Sequence, residues 1–188
     1  NHNFNTFDPM SFTRKINTAI VLAPHPDDGE FGCGATLNKL IKQGTKVHYI
    51  AFSPCTISVP NGFDRDVLYR ELNGACKQIG ITKENITTFD FPVRELSFHR
   101  QEILEALIKL RNSIQPDLVF LPSSSDIHQD HETIHKEGVR AFKYTSILGY
   151  EMPWNNLNIT TNFHVNIDEA NLKAKWDAIN AYESQSGR

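Results

Sequence analysis

The 188 residues of this chain are 39% hydrophobic and 22% charged, which is typical of a single globular domain over residues 1–188. The net charge is −3 and the 19 basic residues are spread along the chain, so there is no electrostatic basis for binding nucleic acid or anionic membranes. No apolar run approaches the roughly 18–20 residues that cross a bilayer, and no membrane span is predicted.

The cysteines and the first residues indicate a compartment. Cys33, Cys55 and Cys76 are an odd number at unrelated spacings, so a reducing, cytoplasmic compartment is expected and a disulfide framework is not. The opening NHNFNTFDPM lacks the basic-then-apolar order of a signal peptide. Nothing in the composition distinguishes a monomer from a homo-oligomer, and both stay open.

The first half of the chain alternates apolar runs with amphipathic segments. Residues 16–23 are a short, β-branched run ended by a proline, which predicts a buried parallel strand. Apolar residues at helical spacing, closed by Gly44, predict a helix over 32–43. The elements predicted next are a strand over 46–52, a helix over 64–79 and a strand over 85–91.

The second half continues the alternation. The elements predicted there are a helix over 99–114, a strand over 117–121, a helix over 133–142, strands over 147–151 and 163–167, and a last helix that Asp168 caps and that runs to about residue 182. Strands and helices that alternate from end to end predict an α/β fold, with a mostly parallel sheet and helices on both faces.

Two polar stretches come after predicted strands, the second within the polar segment PSSSDIHQDH that directly follows its strand. HPDD, residues 25–28, follows the first strand, and HQDH, residues 128–131, follows the fourth. In open parallel sheets, ligand sites lie beyond the carboxyl ends of the strands, where the strand order reverses. If the first and fourth strands are neighbours across that reversal, the two stretches face one another and form one site.

The residue types in these stretches favour a metal site. Two imidazoles with one carboxylate are a common ligand set for catalytic zinc. His25 and Asp28 are three residues apart in a tight turn, so both can reach one ion, and His131 can complete the set. Asp27 is expected to point away from that ion and to act as general base on a water whose pKa the metal lowers to about 7.

The HQDH stretch also supplies candidates for an acid and for an orienting group. His128 is placed to stabilise a developing oxyanion and to protonate a leaving amine. Asp130 is placed to hydrogen-bond one of the imidazoles and fix its tautomer. Either stretch alone would more often be solvated surface or structural, but together they predict a hydrolase that acts on an amide or an ester.

Three further residues are candidates for substrate binding. Arg65 and Arg70 belong to the helix after the second strand, which borders the predicted site, and can meet polar or anionic parts of a substrate. Solvated arginines on a helix face are the alternative. His164 can edge the pocket from the late strand over 163–167, with a structural role as the alternative.

The same stretches resemble the signatures of a known family. APHPDDGEFGCGATL, residues 23–37, and DIHQDH, residues 126–131, are similar to the two signatures of the LmbE-like (PIG-L) zinc-dependent de-N-acetylases. Weaker similarity runs through DVLYRELNGACKQIGI, ILGYE and KAKWDAINAYESQ. The resemblance implies a Rossmann-like fold and a single zinc ion; iron(II) is the alternative metal at such a site. The roles that it implies are metal ligands at His25, Asp28 and His131, a base at Asp27, and at His128 an acid or electrostatic partner that Asp130 tunes.

The resemblance also implies a substrate class. Family substrates are N-acetyl groups, commonly on glucosamine-type sugars, so the chain is expected to remove an N-acetyl group from a small amino-sugar derivative. The alternatives are hydrolysis of another small amide or ester, and a carbohydrate-binding relative without turnover. Many members have Glu directly after the second Asp, whereas this chain has Gly29 and then Glu30, a variant that several members share.

Overall fold

The computed structural model describes residues 15–186, which form a five-stranded sheet with helices on both faces. The strands are β1 (Thr18–Ala23), β2 (Lys46–Ala51), β3 (Ile86–Thr88), β4 (Leu118–Pro122) and β5 (Ser146–Tyr150). The α-helices are α1 (Asp28–Lys42), α2 (Val67–Ile79), α3 (Arg100–Ile114), α4 (Gln129–Ala141) and α5 (Glu169–Ile179). All neighbouring strands are parallel, which confirms the predicted α/β, Rossmann-like fold. Within the described range, no helix combines the length and the apolar character needed to cross a membrane.

The strand order places the two polar stretches side by side. The order is β3-β2-β1-β4-β5, so the chain moves outward from β1 to β3 and then returns to the opposite side of β1. β1 pairs with β4 from Ala19–Leu118 to Val21–Phe120. The reversal therefore lies between β1 and β4, where ligand sites of open parallel sheets form.

β1 is buried on both faces, which explains its continuous apolar sequence. Ala19, Val21 and Ala23 pack into the cluster beneath α1, α2 and α5, whereas Ile20 and Leu22 pack into the cluster beneath α3 and α4. Burying a side chain as large as Ile20 or Leu22 contributes about 1.5–3 kcal/mol. The turn that follows β1 is thus anchored on a strand that is buried from Ala19 to Ala23.

Two helices begin earlier than their apolar spacing predicts. α1 begins at Asp28 rather than at residue 32, and α4 begins at Gln129 rather than at residue 133. Their first turns carry acidic side chains, which the positive end of the helix dipole stabilises and which apolar periodicity does not detect. The polar stretches are therefore partly helical: Asp28 and His131 lie on first turns, whereas His25 precedes α1.

The strand predicted over 163–167 is wrong. These residues form coil, although Phe163 and Val165 are partly buried and alternate with exposed neighbours. Alternation shows only that one side of a segment faces the protein, whereas a strand also needs a neighbouring backbone with which to form hydrogen bonds. His164 is therefore carried by coil and not by a strand.

Candidate active site

The turn after β1 and the start of α4 are in contact. His25 and Asp28 form a closed turn, in which the His25 backbone N–H donates to Asp28 Oδ2 at 2.8 Å. His131 approaches this turn from α4, and its Nε2 lies 3.3 Å from His25 Nδ1. Residues that are more than 100 positions apart in sequence thus share one site, as the strand order requires.

Three atoms of these residues form a nearly equilateral triangle. Asp28 Oδ2 lies 3.2 Å from His25 Nδ1 and 3.2 Å from His131 Nε2, and the two nitrogens are 3.3 Å apart. A tetrahedral zinc ion with bonds of about 2.0–2.2 Å requires ligand atoms about 3.3–3.5 Å apart. The triangle of His25, Asp28 and His131 therefore fits such an ion with almost no rearrangement.

Each imidazole in the triangle is hydrogen-bonded by a carboxylate at the ring nitrogen that faces away from the triangle. Asp130 Oδ2 lies 2.9 Å from His25 Nε2, and Asp126 Oδ2 lies 2.7 Å from His131 Nδ1. Asp130 also accepts backbone N–H groups from Arg94 at 2.6 Å and Leu96 at 3.3 Å. Carboxylates in this position fix the tautomer and the orientation of metal-binding histidines. The sequence reasoning selected Asp130 but missed Asp126, although Asp126 opens the DIHQDH signature.

His128 lies at the edge of the triangle. It caps α4, and its Nδ1 accepts the Asp130 backbone N–H at 3.2 Å. Burial and the neighbouring imidazoles of His25 and His131 lower the pKa of His128. Since Nδ1 accepts a hydrogen bond, the neutral ring carries its proton on Nε2. His128 is therefore a hydrogen-bond donor at the rim of the site.

A second grouping of possible ligands is looser. Atoms of His25, His128 and His131 all lie within 4.8 Å of one another. The triangle with Asp28 has separations of 3.2, 3.2 and 3.3 Å, which match the spacing of ligand atoms around a tetrahedral ion. We therefore favour Asp28 over His128 as the third ligand.

The two adjacent aspartates differ in their electrostatics. Burial, followed by the charge of Asp28, raises the pKa of Asp27 to about 6. Burial also disfavours charge on Asp28, but the imidazoles of His131 and His25 outweigh it and hold the pKa of Asp28 well below its usual range. Asp28 is thus a permanent anion, whereas Asp27 exchanges a proton near neutral pH.

The imidazoles show that the site attracts positive charge. Burial alone would lower their pKa values, yet the Asp28 carboxylate and the hydrogen-bonded Asp130 and Asp126 raise the pKa of His25 to about 9 and that of His131 to about 10. Both rings would have to lose a proton to bind a metal, so metal binding should release protons. The surplus of carboxylates is the charge pattern that a divalent cation requires.

The predicted substrate arginines lie on the surface, Arg65 just before α2 and Arg70 within it. Arg65 and Arg70 are both exposed. The Arg70 guanidinium pairs with Asp64 at 2.9 Å and with Asp66 at 3.5 Å, and surface pairs of this kind contribute little to stability. This placement agrees with the alternative interpretation, in which both arginines are solvated surface residues.

His164 borders a cleft of about 680 Å³. The cleft lies between α1, the ends of β4 and β5, and the coil over 160–165. Its lining mixes aromatic rings with hydroxyl and amide groups, including Phe31, Ser124, Tyr150, Thr161, Asn162 and His164. Ser125, also in the lining, directly precedes Asp126, whose carboxylate engages His131, but the residues of the triangle do not themselves line the cleft.

A buried polar cluster behind the HPDD turn was missed from sequence. The Pro26 carbonyl accepts hydrogen bonds from Tyr49 Oη at 2.6 Å and from Tyr182 Oη at 2.7 Å. Glu30 is fully buried, and its carboxyl oxygens lie within hydrogen-bond distance of both phenol oxygens, with 3.1 Å to Tyr182 Oη. Burial raises the pKa of Glu30 to about 8, so its carboxyl group is largely neutral at pH 7. Tyr49 and Tyr182 carry no sequence signal, because they occur in segments that read as a strand and a helix.

Comparison with known proteins identifies the family of this chain. The model of the PIG-L family, described as GlcNAc-PI de-N-acetylase, matches residues 20–142, which are more than half of the chain and include the whole triangle. This chain belongs to the PIG-L family. The resemblance seen in the two signatures is thereby confirmed.

Relatives of this PIG-L family member include named deacetylases. It is 26% identical to the uncharacterized deacetylase YaiS of Escherichia coli K12, over 93% of this chain and 95% of YaiS. It is 24% identical to the diacetylchitobiose deacetylase of Thermococcus kodakarensis, over 77% of this chain and 55% of that protein. The solved N,N'-diacetylchitobiose deacetylase of Pyrococcus horikoshii superposes with a TM-score of 0.79 and 21% identity, over 95% of this chain and 74% of that one. The superposition bears on the fold, and the family match places the chain among deacetylases.

Proposed function

We propose that this PIG-L family member is a metal-dependent hydrolase that removes an N-acetyl group from a small amino-sugar derivative. The observation that carries the proposal is the triangle of His25, Asp28 and His131, with Asp27 adjacent to it as a separate carboxylate. Zinc is the proposed metal and iron(II) the alternative, because both accept imidazole and carboxylate ligands.

In this proposal, His25, Asp28 and His131 hold the ion. When bound, the metal supplies Lewis acidity toward an amide carbonyl and toward water. Asp130 and Asp126 keep Nδ1 of His25 and Nε2 of His131 directed at the ion, because each carboxylate engages the opposite nitrogen of its ring.

Asp27 is the proposed general base. Its pKa of about 6 leaves it mostly ionised at neutral pH, yet close enough to neutrality to take up a proton readily. It would accept a proton from the attacking water, while the amide C–N bond breaks to give acetate and a free amine. The proton held by Asp27 is then available to the leaving nitrogen.

His128 is the proposed electrostatic partner. Its Nε2–H group lies on the side of the ring away from the Asp130 backbone N–H, and it can donate to the oxygen on which negative charge develops. The lowered pKa of His128 favours this hydrogen-bonding role over a role as a charged acid at neutral pH.

The cleft bordered by His164 supports a sugar substrate. Its volume lies within the range of small-ligand pockets, and its aromatic and hydroxyl lining suits the faces and edges of a sugar ring. His164 remains the proposed substrate-binding residue of the predicted three, because it borders this cleft. The names of two relatives, both diacetylchitobiose deacetylases, also support an N-acetylglucosamine-type substrate.

The experiment is to measure acetate release from N-acetylglucosamine and diacetylchitobiose with zinc-loaded protein. We expect turnover that a chelator abolishes and that Asp27→Asn nearly abolishes, while the Arg70→Gln control stays close to wild type. Hydrolysis of other N-acyl amides alone would favour the alternative amidase. Sugar binding without turnover in any assay would favour the non-catalytic relative.

A further inference from the structure

The cluster behind the HPDD turn, which we name the tyrosine clamp, consists of Glu30, Tyr49 and Tyr182. All three side chains are at least 98% buried, and both phenols donate to the carbonyl of Pro26. We propose that Tyr49 and Tyr182, joined by Glu30, are positioning residues that hold the HPDD turn in its metal-binding shape. This inference rests on the metal centre proposed above.

The contact point explains how the clamp can act on the ligands. Pro26 lies between His25 and Asp28, and its carbonyl oxygen is the only polar backbone atom that a proline offers. Rotation of the peptide after Pro26 would displace the residues on both sides. Two hydrogen bonds to one carbonyl oxygen therefore restrict the rotation that would open the triangle.

The two phenols reach the turn from independent parts of the fold. Tyr49 belongs to β2 in the centre of the sheet, and it also accepts the Gly29 backbone N–H at 3.1 Å. Tyr182 follows α5, near the end of the described chain. Its segment is tied to α2, because Ser184 donates through its backbone N–H and its Oγ to the Glu71 carboxylate at 2.8 and 2.6 Å.

The clamp must be distinguished from ordinary core packing, and Tyr150 offers a matched control. Tyr150 is 4% exposed, and its phenol donates to the Leu22 carbonyl at 2.8 Å. Replacing it by phenylalanine removes one buried phenol–carbonyl hydrogen bond; the clamp variants lose such a bond as well, together with the contact to Glu30 and, for Tyr49, the bond from Gly29. Leu22 lies within β1, however, so no bond to the turn is lost.

The experiment compares Tyr49→Phe, Tyr182→Phe and Tyr150→Phe by zinc affinity and by thermal unfolding of the metal-free protein. Zinc affinity is measured by competition with a chromophoric chelator in the absence of substrate. We expect all three variants to be destabilised, since each leaves a buried carbonyl with one bond fewer. The two clamp variants should also bind zinc about 10-fold more weakly, which is the size of effect seen when a residue that orients a metal ligand is removed. Tyr150→Phe should bind zinc as the wild type does.

Wild-type zinc affinity in both clamp variants would overturn the inference, as would an equal loss in Tyr150→Phe. If a clamp variant does not fold, Ser184→Ala takes its place, because it loosens the tail and keeps both phenols. A weaker zinc affinity in Ser184→Ala supports the clamp, and an unchanged affinity contradicts it. Wild-type protein that binds no zinc would instead refute the proposed centre, whereas zinc binding without acetate release would refute only the proposed reaction.

Discussion

Asp126→Asn tests whether the carboxylates outside the triangle control metal binding. Asp126 is buried, and it accepts from His131 Nδ1 at 2.7 Å through Oδ2 and from the His128 backbone N–H at 2.9 Å through Oδ1. An amide has one acceptor oxygen and one NH₂ group, so one of these two donors would face another donor. The substitution therefore breaks one hydrogen bond and changes little in shape.

The size of the effect follows from the bond that is lost. A hydrogen bond to a charged group contributes about 1.5–3 kcal/mol, which corresponds to about 10- to 150-fold in affinity. We expect the zinc dissociation constant of Asp126→Asn to rise by that factor. The assay is competition with a chromophoric chelator, followed by measurement of the zinc bound per protein.

Asp117→Asn is the control. Asp117 also accepts two hydrogen bonds, but both come from backbone N–H groups, of Asn17 at 2.8 Å and Thr18 at 3.1 Å, and they lie at the opposite end of β1. It should bind zinc as the wild type does. If Asp126→Asn also kept wild-type affinity, the orienting role of Asp126 would be refuted.

Four further outcomes are expected. Asp27→Asn should keep its zinc while kcat falls about 100- to 10,000-fold, and a parallel loss of zinc would show that Asp27 is a ligand. His131→Ala should purify with much less metal per protein, and an unchanged stoichiometry would exclude it as a ligand. The value of kcat/KM should rise with pH through about 6 as Asp27 loses its proton, and a profile without that limb would contradict its role as base. Although burial lowers the pKa of His25, the Asp28 carboxylate raises it from 6.5 to about 9. The ion pair between them therefore stabilises the folded protein fully below pH 6.5, and this stabilisation is lost as pH rises through 9. The thermal midpoint of metal-free protein should accordingly fall over that interval, and a flat midpoint would contradict the ion pair.

The sequence was sufficient to predict the parts of the site that depend on local order. HPDD and HQDH come shortly after apolar runs, and a parallel sheet brings the ends of such runs to one edge. The closeness of Asp28 to His131, at 3.2 Å, follows from that reasoning once β1 and β4 are neighbours. Asp168 also caps α5 as its spacing indicates.

The missed tyrosines contact the HPDD turn from distant parts of the sequence. Tyr182 reaches Pro26 across 156 positions, and sequence periodicity does not detect such a contact. Tyr49 looks like any aromatic residue of a buried strand until its hydroxyl partner is known. Asp126, in contrast, lies only five residues from His131, and it was missed although it belongs to the DIHQDH signature.

The placement of the cleft has an evolutionary consequence. Its outer wall is the coil over 160–165, which contributes no atom to the triangle and no hydrogen bond to the tyrosine clamp. Mutations in that coil can accumulate without loosening the proposed metal centre. If the proposed function is correct, descendants of one ancestral protein can therefore acquire new substrate preferences by rebuilding a single stretch of backbone, while the residues of the triangle are inherited unchanged.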